Sequence, residues 1–202
     1  MSSNVVTFTP DSHLRDPGTK HVPGESGVWV LIFGDMLIFS VFFITYALHR
    51  GDDVDLYRRS QTHLNQAFGI LMTFLMLSGS WFVANAVQAA RAQRRALSAK
   101  LFRCGFACGL FFGIIKFFEY SGKVRHGITP STNNFFMYYY LFTGIHLLHV
   151  VVGMVVIAVL SSYVQKGTVD ARKIRNIESG ALFWHVVDLL WIVLFALFYI
   201  AV

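Results

Sequence analysis

Residues 134–164 form a run of about thirty residues without a single Asp, Glu, Lys or Arg. An apolar stretch of ~20 residues is long enough to cross a bilayer, and a longer one crosses with some tilt. In hydrocarbon every backbone N–H and C=O must be satisfied internally, which leaves helices and closed barrels as the spanning structures. Four further apolar segments occupy 26–49, 64–90, 100–121 and 176–202. None shows the apolar–polar alternation of a strand. The predicted fold is therefore all-α, a polytopic membrane bundle of five transmembrane helices. Residues 1–25 are polar, with Pro10, Pro17 and Pro23, and read as an N-terminal tail preceding a membrane domain over 26–202. The tail has no apolar core behind which a signal peptidase would cut, so the N terminus is expected to stay in the cytoplasm.

Composition excludes several functions. Hydrophobic residues make up 55% of the chain and charged residues only 14%, against roughly 25% charged in soluble domains. The net charge of +6 does not imply nucleic acid, because the basic residues lie in short gaps between apolar runs. That placement is a topology signal. Eleven basic residues fall on one side of a five-pass chain: Arg15, Lys20, Arg91, Arg94, Arg95, Lys100, Arg103, Lys166, Arg172, Lys173 and Arg175. Five fall on the other: Arg50, Arg58, Arg59, Lys123 and Arg125. The bias places the N terminus in the cytoplasm and the C terminus outside. Cys104 and Cys108, at i and i+4, lack redox or zinc spacing and read as packing residues.

Polar side chains inside the spans carry what chemistry there is. Asp35 sits about nine residues into the first span; an acid near a helix centre costs about 2.5–3.5 kcal/mol on insertion scales, so it is expected to be protonated, paired or facing a wet pocket. Lys116 and Glu119, three apart, are expected to pair, with Lys116 snorkelling to the interface. His146 and His149 at i and i+3 are placed on one face of a helix, as are His185 and Asp188. Together with Glu119 and Glu178 these form a predicted interhelix polar network, a hydrogen-bonded brace between the fourth and fifth spans. Gly144 and Gly153 are expected to let another backbone come close, as is the small-residue run Ser78-Gly79-Ser80. Three histidines are too few for a membrane di-iron site, and a metal needs a complete set of ligands. A haem held by His146 and His185 stays open as an alternative, as does an independent transporter or channel using Asp35 and Asp188. Ser78-Gly79-Ser80-Trp81 is not a nucleophile elbow, and no catalytic residue is assigned.

Two long strings resemble subunit III of the haem-copper oxidases. Thr143-Gly144-Ile145-His146-Leu147-Leu148-His149-Val150, closed by Gly153, is similar to that family's T-G-x-H-x-x-H-V-x-x-G motif. Glu178 through Trp191 is similar to its E-x-G-x-x-Y-W-H-x-V-D-x-x-W motif, with Phe183 where Tyr is common. Glu119-Tyr120 resembles the family's E-Y element, and Asp35 falls where mitochondrial members carry Glu. The resemblance runs from Gly27 to the C-terminal end. The seven-helix mitochondrial members have two additional first helices. Five-helix members include subunit III of cytochrome bo-type quinol oxidases and the NorE-type proteins associated with nitric oxide reductase; residues 60–83 are more similar to the latter. The resemblance implies a non-catalytic subunit in a bacterial inner membrane, with no cofactor of its own. Haem and copper, or non-haem iron, would sit in a catalytic subunit I-type partner. It further implies structural phospholipid and support of proton uptake during turnover, with Asp35 as the acid concerned.

Overall fold

The computed structural model describes residues 26–200. Helix α1 runs over Ser26–Asp52, a short α2 over Val54–Gln61, α3 over Gln66–Arg91, α4 over Arg95–Arg125, α5 over Asn134–Tyr163 and α6 over Ala171–Phe195. A π-helical turn, Ala196–Ile200, continues α6. All of these except α2 belong to the five segments long and apolar enough to span a membrane. The predicted helical bundle is thus the observed architecture.

Helix starts follow local chemistry. Asp53, Asn65, Asn133 and Asp170 each accept a backbone N–H in the first turn of the helix they precede, satisfying donors that have no intrahelical partner. The turn between α3 and α4 uses Gln93 at φ 59, and its side chain donates to Val169 O at 2.8 Å. Arg91 reaches Glu178 from the same end, so the α3–α4 and α5–α6 loops meet. At the opposite end Asn133 donates to Ser60 at 2.9 Å. The α1–α3 connection therefore meets the α4–α5 loop there.

Helices α3, α4, α5 and α6 form a four-helix bundle in which each packs on two neighbours, and α1 leans on α5 and α6 from outside. Trp184 of α6 is fully buried at the centre of that bundle. Its indole fits where α3, α4 and α5 each present a glycine: a Cβ added at Gly79, Gly109 or Gly153 would meet it at 3.4, 2.8 or 2.9 Å. Gly79 and Gly105 also bring α3 against α4. Gly144 does not act as expected, since a Cβ there meets nothing within 4 Å. Helix α1 buries only a seam of Ile32, Phe39 and Tyr46, spaced by seven, while Phe33, Leu37 and Ile44 are 67%, 67% and 62% exposed.

Several boundaries differ from expectation. Helix α4 begins at Arg95 and ends at Arg125 rather than at 100 and 121, and α6 begins at Ala171 rather than 176. These extra turns carry charge and lie beyond the apolar stretch that marks a span, and α2 has too little apolar sequence to register at all.

Candidate functional site

The polar side chains singled out in the sequence do not form one network. They divide into four places. The first is a groove of about 190 Å³ between α1 and α5, lined by Leu31, Asp35, Leu148, His149, Val152 and Phe183. His149 Nε2 lies 3.5 Å from Asp35 Oδ2, and both side chains are about one-fifth exposed. His149 Nδ1 faces Ile145 O at 2.9 Å. Because a carbonyl only accepts, Nδ1 carries a proton, and a neutral ring then offers Nε2 as an acceptor. Asp35 and Nε2 can therefore engage only if one more proton lies between them, on the acid or on the ring.

His146 points elsewhere. It is fully buried, edge-on to Phe112 of α4 at 5.7 Å and tilted on Trp191 of α6 at 5.4 Å. Neither ring nitrogen has a hydrogen-bond partner among the described residues, and the same holds for Asp188 Oδ1. The i, i+3 spacing leaves the two histidines on adjoining rather than common sides of α5. The expected bonds from His146 or His149 to Glu119, Glu178 or Asp188 are not formed. His185 instead meets Ser80 of α3 at 2.5 Å, so the pair weighed as haem ligands is divided between different neighbours. Trp191 Nε1 donates to Thr73 at 3.0 Å.

Glu178 accepts from Arg91 Nε and Nη2 at 3.0 and 2.7 Å, tying α6 to the end of α3. Arg91 is half exposed, and a pair at such a site adds little stability.

The fourth place is a buried charge centre on α4. Lys116 is fully buried rather than snorkelling. Its ammonium donates to Glu119 Oε2 and Tyr139 OH, both at 2.9 Å, and lies 3.4 Å from Tyr199 OH. The rings of Tyr139, Tyr120 and Trp191 surround it at 4.7, 5.2 and 5.4 Å, a cation–π enclosure that is strongest when water is excluded. Tyr199 OH donates to Glu119 Oε1 at 2.7 Å. Lys123 reaches the same oxygen at 3.5 Å. The Lys116–Glu119 pair was legible from spacing, with Tyr120 beside it on α4; Tyr139 and Tyr199 were not, because they come from α5 and the π-helical turn. Their only sequence signal is a surplus of Tyr at the ends of those segments.

Among the described residues no group of three His, Cys, Asp or Glu side chains is assembled as a metal site. Cys104 is exposed and Cys108 half-buried, and both are free thiols.

The sequence profile of the family described as Cytochrome c oxidase subunit III matches residues 21–202. The chain belongs to that family. A protein named cytochrome bo(3) ubiquinol oxidase subunit 3, from Buchnera aphidicola subsp. Acyrthosiphon pisum, is 25% identical over 201 residues, covering 99% of this chain and 96% of its own. The subunit of the same name from Buchnera aphidicola subsp. Schizaphis graminum is 25% identical over 178 residues, 86% of this chain and 92% of its own. A probable quinol oxidase subunit 3 from Staphylococcus aureus is 23% identical over 176 residues, 86% of each chain. Membership makes this chain a non-catalytic, multi-pass membrane subunit of a bacterial haem-copper oxidase, whose metal centres belong to partner subunits.

Proposed function

We propose that this subunit III stabilises a subunit I-type catalytic partner of a quinol or cytochrome oxidase, keeps phospholipid against the Asp35 groove and sustains proton uptake through many turnovers. The observation that carries the reading is Asp35 facing His149 at 3.5 Å in an apolar groove on the flank of the bundle. An acid there is costly, so its retention needs a partner or a use. A single proton placed between Asp35 Oδ2 and His149 Nε2 would tie α1 to α5 across this groove. The exposed face of α1 beside it, with Phe33, Leu37 and Ile44, offers an apolar surface to lipid or to a neighbouring helix.

The test uses the assembled oxidase purified through a tag on this chain. A haem-containing larger subunit is expected to co-purify. Asp35→Asn keeps the size of the side chain and lets the amide donate to Nε2, but it removes the titratable proton. Assembly and the initial rate are expected to persist, while inactivation during prolonged turnover becomes at least several-fold faster. Sustained turnover equal to that of the native complex removes the role of Asp35. Absence of any haem-bearing partner removes the oxidase assignment of this chain's complex.

A further inference from the structure

The stripe of α6 that faces the bundle carries Trp184, Asp188 and Trp191, spaced i, i+4 and i+7. All three are buried, at 0%, 6% and 0% exposure. The two tryptophans fix what lies opposite. A Cβ added at Gly153 of α5 would meet the Trp184 indole at 2.9 Å, and the Trp191 ring lies 5.4 Å from His146 of the same helix. Helix α5 therefore runs along this stripe, and Asp188 stands between its two ends. Along the axis Asp188 is about 4.5 Å from Trp191 and about 6 Å from Trp184.

Four polar atoms in this strip have no hydrogen-bond partner among the described residues: both ring nitrogens of His146, Asp188 Oδ1 and Trp184 Nε1. His146 and Trp184 are fully buried. A neutral imidazole offers one donor and one acceptor in either tautomer, a carboxylate oxygen accepts, and an indole N–H donates. The set is balanced in donors and acceptors, yet the side chains do not bond to one another. Leaving such groups unpaired away from water is expensive. The occupant that satisfies them must be small enough for a closed core and must both donate and accept. Water does so, and a water bonded on both sides spans about 5.5 Å, the order of the axial separations here. A metal ion does not fit, because among the described residues no three His, Cys, Asp or Glu side chains are assembled around one point. Asp188 also lies beside Ser80 of α3, whose Oγ is 2.5 Å from His185 Nδ1. His185 is half-buried, so the polar chain leads from the core to the α3–α6 flank.

We infer that ordered water occupies this strip, bridging Asp188 Oδ1 to His146, with Trp184 Nε1 donating into the same cluster. The water joins α5 to α6 where their polar side chains do not bond directly, and it continues through Asp188 and Ser80 to His185. The inference is independent of the role given to Asp35, since it concerns the interior of this chain alone.

The experiment is X-ray hydroxyl-radical labelling of the full chain in detergent, read by mass spectrometry. Radicals form from water where it stands, so a side chain closed to bulk solvent is oxidised only when a bound water lies next to it. After correction for intrinsic reactivity, His146, Trp184 and Trp191 are expected to be oxidised several-fold more than Phe102, which is equally buried. In His146→Phe the labelling of Trp191 should fall several-fold. The same variant should melt at a lower temperature, because the new ring leaves the water and Asp188 without a partner. A double-mutant cycle with Asp188→Leu should be non-additive, as both side chains hold one cluster. Labelling of His146, Trp184 and Trp191 no greater than that of Phe102 overturns the inference. Strong and equal labelling of all four shows entry of bulk solvent and overturns an ordered site. A higher melting temperature for His146→Phe shows that the nitrogens were bare and overturns the bridge, as does an additive cycle. Helical circular dichroism identifies a variant that has not folded, and labelling of the native chain then decides.

Discussion

At His149 the bond from Nδ1 to the Ile145 carbonyl decides what the ring can offer to Asp35. Periodicity placed this histidine in the membrane but could not name its neighbour. Residues three apart differ by about 60° around a helix axis, enough to send His146 into the bundle and His149 towards α1. Which helix fills each direction depends on packing order, and spacing within one segment does not contain it. Tyr57 shows the same limit outside the spans. Its phenol is 3% exposed and packs edge-on to Tyr46 at 5.4 Å and Phe135 at 5.7 Å. Its hydroxyl has no hydrogen-bond partner among the described residues. Burial, with the nearby Tyr138 phenol and the carboxylates of Asp52 and Asp53, pushes its pKa up to about 12. A raised phenol pKa means the neutral form is favoured in the folded state. That contribution is complete below the ordinary value near ~10 and is lost as pH rises through about 12. Tyr57→Phe deletes a poorly satisfied hydroxyl while keeping the ring, so stability at neutral pH is expected to be unchanged or up to ~1 kcal/mol higher. Its melting temperature should also fall less than the native chain's between pH 10 and 12, both pH values being approximate bounds set by the phenol. A marked loss of stability at neutral pH would show that the hydroxyl is bonded after all.

Among the elements, hydropathy found the spans because lipid demands an apolar surface over a fixed length. It could not find their ends. Helix α4 continues to Arg125 with Lys116 and Lys123 both held by Glu119 in its C-terminal half, while α2 is held by two inward residues, Tyr57 and Ser60. Glycines show how far composition reads packing. Gly109 and Gly144 look alike in sequence, each inside a long apolar helix. In the fold a Cβ at Gly109 would lie 2.8 Å from Trp184 and 3.0 Å from Met154, whereas one at Gly144 meets nothing within 4 Å. Gly109→Ala is expected to destabilise by about 1–3 kcal/mol through overpacking. Gly144→Ala is expected to be neutral or stabilising by up to ~1 kcal/mol, from the better helix propensity of alanine. Thermal unfolding of both variants in one detergent checks the pair. Equal shifts would mean that Trp184 does not occupy the space that the bundle's glycines leave.

For the whole molecule, orientation in the membrane follows from which loops share an end. Arg91 bonded to Glu178, and Gln93 to Val169, bring the α3–α4 and α5–α6 loops together. Lys123 reaching His63 O, and Asn133 bonded to Ser60, do so for the α1–α3 connection and the α4–α5 loop. The basic residues counted in the sequence from Arg50 onward therefore belong to opposite ends of one bundle rather than to a statistical partition, while Arg15 and Lys20 lie outside the described residues. Not every basic residue acts equally in the bias, because Lys123 is buried against Glu119 and leaves fewer free positive charges at its end. The same holds at the other end, where Lys173 is buried and Arg91 is paired with Glu178, so the bias stays on the side of the eleven. The richer end is expected to face the cytoplasm. A reporter inserted between residues 91 and 95 should therefore read cytoplasmic, and one fused after Val202 periplasmic. Replacing Arg91, Arg94 and Arg95 by Gln should leave a mixed population, since those three stand at the tightest hairpin of the basic end. Arg91 also ties α3 to Glu178, so a variant retaining Arg91 separates the loss of that bond from the loss of charge. A periplasmic signal from the 91–95 loop of the native chain would overturn the orientation. A cytoplasmic signal after Val202 alongside a cytoplasmic loop would overturn the count of five crossings.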